Sequence, residues 1–410
     1  LNAELLVWQR LHRAEHAGLV AAAAKTHPGD ASGVARLRRT ADAELVRAAL
    51  LLSKARSKAR AKFGDPADAL WADPDGVEMA SSMSAARHKA GRMSSVLPGA
   101  RAVDLCCGIG GDAMAMRDAG LVTECVDLDP VRAWMAGVNA GGIARCADAI
   151  DPASIGPGVR LVHIDPARRT ADGSRRSWRI DDLRPGPDEV AGVVARLATA
   201  AGGSGWGACV KLGPGVSAGD AARVIGGAPF ELEFISERGR LTQALAWAGG
   251  LAPSARTATL LDERGTHTLA GDPGRPAPVG PLGAWVYEPD DSVERAGLLG
   301  ALCARTGLVM PHEHCGLLTG PGNVRDPMLT EFEVLGEDAW SPRRVRERIR
   351  ELGGGIVEIK TRGGLVDPDR VQADLRGEGE RRLTVFVVRM GRGPRAIIAR
   401  RLGGCDVTPP

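Results

Sequence analysis

The sequence predicts an α/β protein: a doubly wound, parallel sheet preceded by a helical region and followed by a small α+β domain. Three observations predict it. The stretch Arg101 to Pro130, RAVDLCCGIGGDAMAMRDAGLVTECVDLDP, passes from a short apolar strand through a glycine-rich turn and a helix into a second strand that ends in acids. Downstream, short apolar runs alternate with helix-like segments, as parallel strands with crossover helices require. The length of 410 residues suits two or three domains, and 44% hydrophobic residues are enough to fill their cores. The expected boundaries are 1–95 for the helical region, 96–325 for the sheet domain with appended strands, and 326–410 for the α+β domain.

In chain order, Leu5, Leu11, Leu19, Leu37, Leu45 and Leu52 recur in Ala-rich surroundings, with a break at His27-Pro28-Gly29-Asp30. Thr40 or Asp42 caps a helix running to Phe63, with Leu45, Leu52 and Phe63 on one side and Lys54, Lys58 and Lys62 on the other. That lysine stripe is either a solvated face or a surface that tracks phosphates. Pro66 and Pro74 break the pattern. A helix then resumes from Glu78 to Met93, placed to cover a ligand at the end of the first strand.

Strands are expected at Ala102 to Cys106, Val122 to Val126, Ile143 to Cys146, Arg160 to Ile164 (RLVHI), Gly207 to Leu212 and Glu231 to Ser236. Helices are expected at Asp112 to Ala119, Val131 to Ala140 behind Pro130, Pro187 to Ala200 and Ala218 to Ile225. Arg256 to Leu261 and Thr266 to Ala270 read as paired strands, Ala284 to Pro289 as a strand and Val293 to Thr306 as a helix. In the last domain Phe332 to Leu335, Ile356 to Lys360, Leu383 to Met390 and Arg395 to Leu402 read as strands. Ser341-Pro342 opens a helix ending at Gly353, and Asp369 to Leu375 is helical.

In open α/β sheets ligands bind outside the carboxyl ends of the strands. There the turn carries Gly108, Gly110 and Ala113, which also fit the looser G-x-G-x-x-G/A dinucleotide pattern, with Asp127 as a ribose binder. Charge separates the alternatives. A pyrophosphate sits against a helix N-terminus because the dipole favours anions, but Asp112 stands at that position and Asp104 precedes the turn. Two carboxylates repel a phosphate and suit a ligand bearing an ammonium and a sulfonium. Otherwise the glycines serve only the bend and Asp112 is an ordinary N-cap.

These residues resemble the cofactor-binding half of a class I S-adenosylmethionine-dependent methyltransferase. The resemblance implies a Rossmann-like sheet, S-adenosylmethionine as cofactor, and contacts from Asp104, Cys106, Gly108, Gly110, Asp112 and Asp127. It also implies that Asp148, after the third strand, meets the adenine amino group. In amino-methylating relatives the fourth strand ends in (Asp/Asn)-Pro-Pro-aromatic. Here Asp165-Pro166-Ala167-Arg168 keeps the acceptor for an amine or hydroxyl and lacks the stacking aromatic; Arg168 instead stacks on a base or holds a phosphate. Asp165, Pro166, Arg168 and Lys211 are thus the candidate catalytic residues, Lys211 either facing substrate or reaching solvent. Cys209 lies inside a strand, so a thiol nucleophile is not expected.

The C-terminal segments SPRRVRERIRELGGGIVEIKTRG and LTVFVVRMGRGPRAIIARRL are similar to the THUMP-like module of some bacterial methyltransferases, which implies an RNA substrate, tRNA or rRNA. Arg343, Arg344, Arg346, Arg348 and Arg350 make its helix basic. Arg168, Arg169, Arg175, Arg176, Arg179 and Arg184 with Trp178 form a basic loop that suits an RNA backbone or folds over the cofactor. The net charge of +3 advertises no nucleic-acid partner by itself. Methylation of a small molecule or protein, and RNA binding without catalysis, stay open. A cytoplasmic location without membrane or metal is expected. No run approaches about 18 apolar residues, Arg10, His12, Arg13 and Glu15 interrupt any leader-like core, and the eight cysteines form no C-x-x-C pair. His312, His314 and Cys315 lack a fourth ligand and read as a loop.

Overall fold

The computed structural model describes residues 2–27, 29–168, 179–313, 315–391 and 393–402. The chain forms two compact units, Leu1–Leu232 with Gln243–Pro253, and Glu233–Thr242 with Ser254–Pro410.

The first unit opens with helices α1 (Ala3–His12), α2 (Ala17–Ala24), α3 (Ala31–Leu37) and α4 (Ala43–Phe63). Asp42 caps α4 by accepting from the Leu45 N–H, and Leu45, Leu52 and Phe63 are buried, as the periodicity requires. The helix expected from Glu78 to Met93 is divided. Pro74 opens α5 (Pro74–Met79) at its first turn, the chain extends at Ala80, and Ser82 caps α6 (Met83–Val96).

The sheet follows: β1 (Arg101–Leu105), α7 (Gly111–Asp118), β2 (Val122–Asp127), α8 (Pro130–Ala140), β3 (Ile143–Cys146) and β4 (Val159–Ile164). A two-residue pair, β5 (Ala167–Arg168) with β6 (Leu183–Arg184), then leads to α9 (Pro187–Ala200), β7 (Gly207–Leu212), α10 (Ala218–Ile225), β8 (Phe230–Glu237) and β9 (Arg240–Gly249). Strands run in the order β3-β2-β1-β4-β7, all parallel, and β9 adds antiparallel to β7. The expected all-parallel sheet is corrected on the β7 side, where β9 runs antiparallel. Arg238 and Gly239, at φ +52° and +75°, form a two-residue turn of the kind that reverses a strand. Chain direction along the sheet switches between β1 and β4, and a crevice opens at that point.

In the second unit β10 (Arg256–Asp262) pairs antiparallel with β11 (Gly265–Gly271). The expected helix Val293 to Thr306 is two helices, α11 (Asp291–Ala296) and α12 (Leu299–Thr306), because Gly297 takes φ +73° and ends the first. A six-stranded sheet combines β12 (Trp285–Pro289), β13 (Leu318–Gly320), β14 (Leu329–Ala339), β15 (Gly354–Thr361), β16 (Arg381–Met390) and β17 (Gly393–Arg401) in the order β13-β12-β14-β17-β16-β15. On one face it buries Val345 and Ile349 of α13 (Pro342–Glu351) and Leu375 of α14 (Pro368–Leu375). On the other, Phe332 and Phe386 meet edge to face at 4.9 Å. Each such buried aliphatic side chain stabilises by about 1.5–3 kcal/mol. Of the five arginines on α13, Arg343 and Arg348 pair with Glu347 and Glu351, and Arg346 donates to the Asp374 carbonyl. Among the described residues no helix is long and apolar enough to cross a membrane.

Candidate active site

The turn after β1 is shaped by backbone that few residues tolerate. Cys106, Gly108 and Gly110 all take positive φ, +57°, +55° and +81°. Gly110 answers to packing: a Cβ there would lie 2.8 Å from the Ala136 Cα of α8. A Cβ at Gly108 would meet nothing within 4 Å, so there the conformation alone favours glycine. The Gly108 N–H donates to Asp127 Oδ2 at 2.8 Å, and the Asp129 N–H to Oδ1 at 2.9 Å, so the acid ending β2 is locked onto the turn. Asp148 accepts from the Ile150 N–H.

All the candidate site residues except Gly110 and Lys211 line one cavity of about 750 Å³, a volume typical of cofactor sites. Its far wall comes from the N-terminal helices, through Gly76, Glu78, Met79, Ala80 and Ser81. The cover expected from the helix before β1 is therefore supplied by α5 and the link after it.

Behind the turn lies a buried ionic cluster that motif reading does not disclose. Lys89 of α6, 1% exposed, places its Nζ 2.6 Å from Asp112 Oδ1, 3.1 Å from Ser81 Oγ and 3.3 Å from His163 Nε2. The Ser81 hydroxyl donates to Asp112 Oδ2 at 3.1 Å. An ammonium only donates, so His163 Nε2 accepts from it and Nδ1 carries the proton that meets Asp104 Oδ1 at 2.7 Å. Burial raises the Asp104 carboxyl above its ordinary value, with His163 opposing. Burial also works against the Asp112 carboxylate, but Lys89, with His163 and Lys211, holds it below the carboxylate range. Lys89 is destabilised by burial yet held above its usual value by Asp112.

This corrects the charge argument. Lys89 compensates Asp112, so the cavity does not see two free carboxylates. What remains is Asp104: the residue lines the cavity, and its Oδ2 is buried with no hydrogen-bond partner among the described residues. An unpaired buried acceptor of that kind suits an ammonium and not a phosphate. Together with the Asp127 carboxylate, which also lines the cavity and has lone pairs a ribose diol can donate to, the residues fit S-adenosylmethionine.

Lys211 is also re-placed. It neither faces the cavity nor reaches solvent: it is 6% exposed and donates to Asp165 Oδ2 at 2.6 Å. Asp165 itself, with Pro166, Ala167 and Arg168, lines the cavity beside Arg184 and Glu189. Arg169, Arg175, Arg176, Trp178 and His314 lie outside the described residues. Burial, then Asp127, pushes the Cys106 thiol well up, and a bond with Cys125, then burial, does so for Cys107. Among the described residues no three His, Cys, Asp or Glu side chains assemble as a metal-binding group.

The residues missed by sequence reading are Lys89, His163 and Ser81. His163 gave a signal, a single polar residue inside the apolar run RLVHI, which a buried strand carries only with a partner.

Fold and cavity together define a class I α/β nucleotide-type binding protein with a cationic-ligand site. Comparison with known proteins makes this specific. Two Mycobacterium tuberculosis proteins, from strains CDC 1551 / Oshkosh and ATCC 25618 / H37Rv, each described as an uncharacterised S-adenosylmethionine-dependent methyltransferase, are 33% identical over 323 residues, covering 78% of this chain and 84% of theirs. The chain belongs to the S-adenosylmethionine-dependent methyltransferases: it is an enzyme, and S-adenosylmethionine is its cofactor. Residues 329–401 match the THUMP domain-like family. A candidate methyltransferase from Porphyromonas gingivalis W83 shares the fold, with a TM-score of 0.68 over 94% of this chain and 98% of that one at 16% identity.

Proposed function

We propose that this enzyme methylates a base of tRNA or rRNA in the cytoplasm. The observation that carries the RNA part is the THUMP domain-like match over 329–401, and the helical region 1–95 and the domain 326–410 are taken to grip the substrate.

When bound, S-adenosylmethionine would supply a sulfonium-bound methyl group that passes in line to an acceptor lone pair, the sulfur–methyl bond breaking and its electron pair leaving with the thioether sulfur. In our reading Asp104 meets the cofactor ammonium, Asp127 the ribose and Asp148 the adenine amino group, on a turn shaped by Cys106, Gly108, Gly110 and Asp112. Asp165 accepts a hydrogen bond from the acceptor N–H or O–H and takes its proton. Lys211 fixes one oxygen of that carboxylate, so the other is aimed without an entropic cost at each turnover. Pro166 stiffens the strand end, and Arg168 holds a neighbouring base or phosphate. Holding the reactants in line and excluding water supply much of the rate.

The test is transfer of labelled methyl from S-adenosylmethionine by the purified enzyme to bulk tRNA and rRNA from a strain lacking the gene. Label in one RNA fraction supports the reading. Unlabelled RNA, with label appearing in a protein or small-molecule fraction, would replace it.

A further inference from the structure

We infer that Lys62 is a positioning residue for the cofactor: its ammonium fastens the segment Val77 to Ala80 as one wall of the cofactor cavity. Lys62 belongs to the lysine stripe on α4, whose sequence suggested either a solvated face or a phosphate track. Its Nζ instead donates to three backbone carbonyls, Val77 at 3.0 Å, Glu78 at 2.7 Å and Ala80 at 3.0 Å. An ammonium has three N–H donors, and these carbonyls meet them. Lys58, one turn earlier, pairs with Glu78 Oε2 at 2.5 Å.

The wall needs such a fastening. With six residues α5 is too short to be stable alone, its last carbonyls have no intrahelical partner, and its C-terminal end carries partial negative charge. A cation placed there answers all three conditions at once. The opposite end of α5 is held separately. Asp73 caps it by accepting from the Gly76 N–H at 2.7 Å and pairs with Arg132 of α8 at 2.9 Å. Between these two anchors the chain presents Glu78, Met79, Ala80 and Ser81 to the cavity, and Ser81 continues into the Asp112 and Lys89 cluster. Met79, an apolar side chain lining the cavity, is 40% exposed. Freed from Lys62, this stretch must order itself each time the cofactor binds, and that cost falls on affinity and not on the chemical step.

The experiment compares Lys62→Met with the wild type by calorimetry with S-adenosylmethionine and by steady-state kinetics on whichever acceptor the enzyme labels. The expected result is a Kd and a KM for the cofactor raised about tenfold, with kcat at saturating cofactor within about twofold. Lys62→Arg, which restores charge and part of the donor set, should recover some of the affinity. Lys54→Met, in the same stripe, should change nothing. A Kd unchanged in Lys62→Met, or kcat lost with Kd intact, would overturn the inference. If Lys62→Met does not fold, hydrogen exchange of the wild type decides: amides of Gly76 to Ser81 must slow when S-adenosylmethionine is added, and exchange indifferent to cofactor refutes the wall. Calorimetry and exchange use no acceptor, so failure here is separable from failure of the RNA proposal.

Discussion

Replacing Lys89 by Met keeps most of the side-chain volume and removes the one ammonium in the buried cluster. The Asp112 carboxylate, 10% exposed in its side chain, then loses its 2.6 Å partner, while Asp104 lies nearby against His163. Breaking a buried pair from one side costs roughly 3–5 kcal/mol, because the remaining charge stays desolvated. The pH dependence follows from the shifts. Asp112 is depressed in the folded enzyme, so its stabilisation is present above the unfolded carboxyl value of 3.8 and lost as pH falls toward the folded one. Lys89 is raised, so its contribution is complete below the unfolded value of 10.5 and lost above the folded one. Between about pH 5 and 9 the wild-type pair is intact. In Lys89→Met burial is opposed chiefly by His163 and Lys211 and raises Asp112, so the variant recovers stability by binding a proton as pH falls from 8 to 5. The assay is urea unfolding followed by tryptophan fluorescence at both pH values. The deficit should be largest at pH 8 and shrink at pH 5, and Lys89→Met/Asp112→Asn should restore most of it. A variant within about 0.5 kcal/mol of wild type at pH 8 would refute the buried pair and, with it, the claim that Asp112 is not a free charge.

Three further outcomes are expected. Asp165→Asn keeps the shape and removes the proton acceptor, so kcat should fall by about 10²–10⁴-fold with S-adenosylmethionine affinity unchanged; equal turnover in a labelling assay would remove Asp165 from the chemistry. Gly110→Ala must place a methyl 2.8 Å from the Ala136 Cα at φ +81°, and thermal unfolding should show a loss of about 1–3 kcal/mol; an unchanged midpoint would mean the α7–α8 approach is looser than described. Burial raises the Asp127 carboxyl, and a ribose diol donates to the ionised form. Cofactor affinity measured by calorimetry should therefore weaken as pH is lowered toward 5, a dependence that Asp127→Asn abolishes.

The sheet was legible because its signals are local. Each of β1 to β4 is a short apolar run, and the glycine turn with Asp127 about 20 residues on is a spacing fixed by one strand-turn-helix-strand unit. Departures came where one residue outranks a pattern. Gly297 splits an otherwise continuous helical periodicity, and Ser82 starts a second helix where apolar spacing alone suggested one. The strand Arg240–Gly249 was missed because a two-residue turn at Arg238-Gly239 leaves no polar loop to mark it. The site was legible in its residues and not in their pairing. Asp104, Asp112, Asp165 and Lys211 are all there to be read, but Lys89 is 23 residues before Asp112, and Lys211 is 46 residues after Asp165.

That pairing changes what the N-terminal helices are for. Read as a sequence, residues 1–95 precede the cofactor motif and look like an appendage for gripping substrate. In the structure they supply the counter-charge of Asp112 through Lys89, the hydroxyl of Ser81, the Asp73 carboxylate on Arg132 and the lid wall itself. A fragment beginning after Val96 would retain every residue of the motif and still expose the cluster, leaving Asp104 and Asp112 without the Lys89 ammonium and the Ser81 hydroxyl. Whatever else the helices touch, the cofactor site is not complete without them, and a truncation that spares the motif should lose S-adenosylmethionine binding before it loses the sheet.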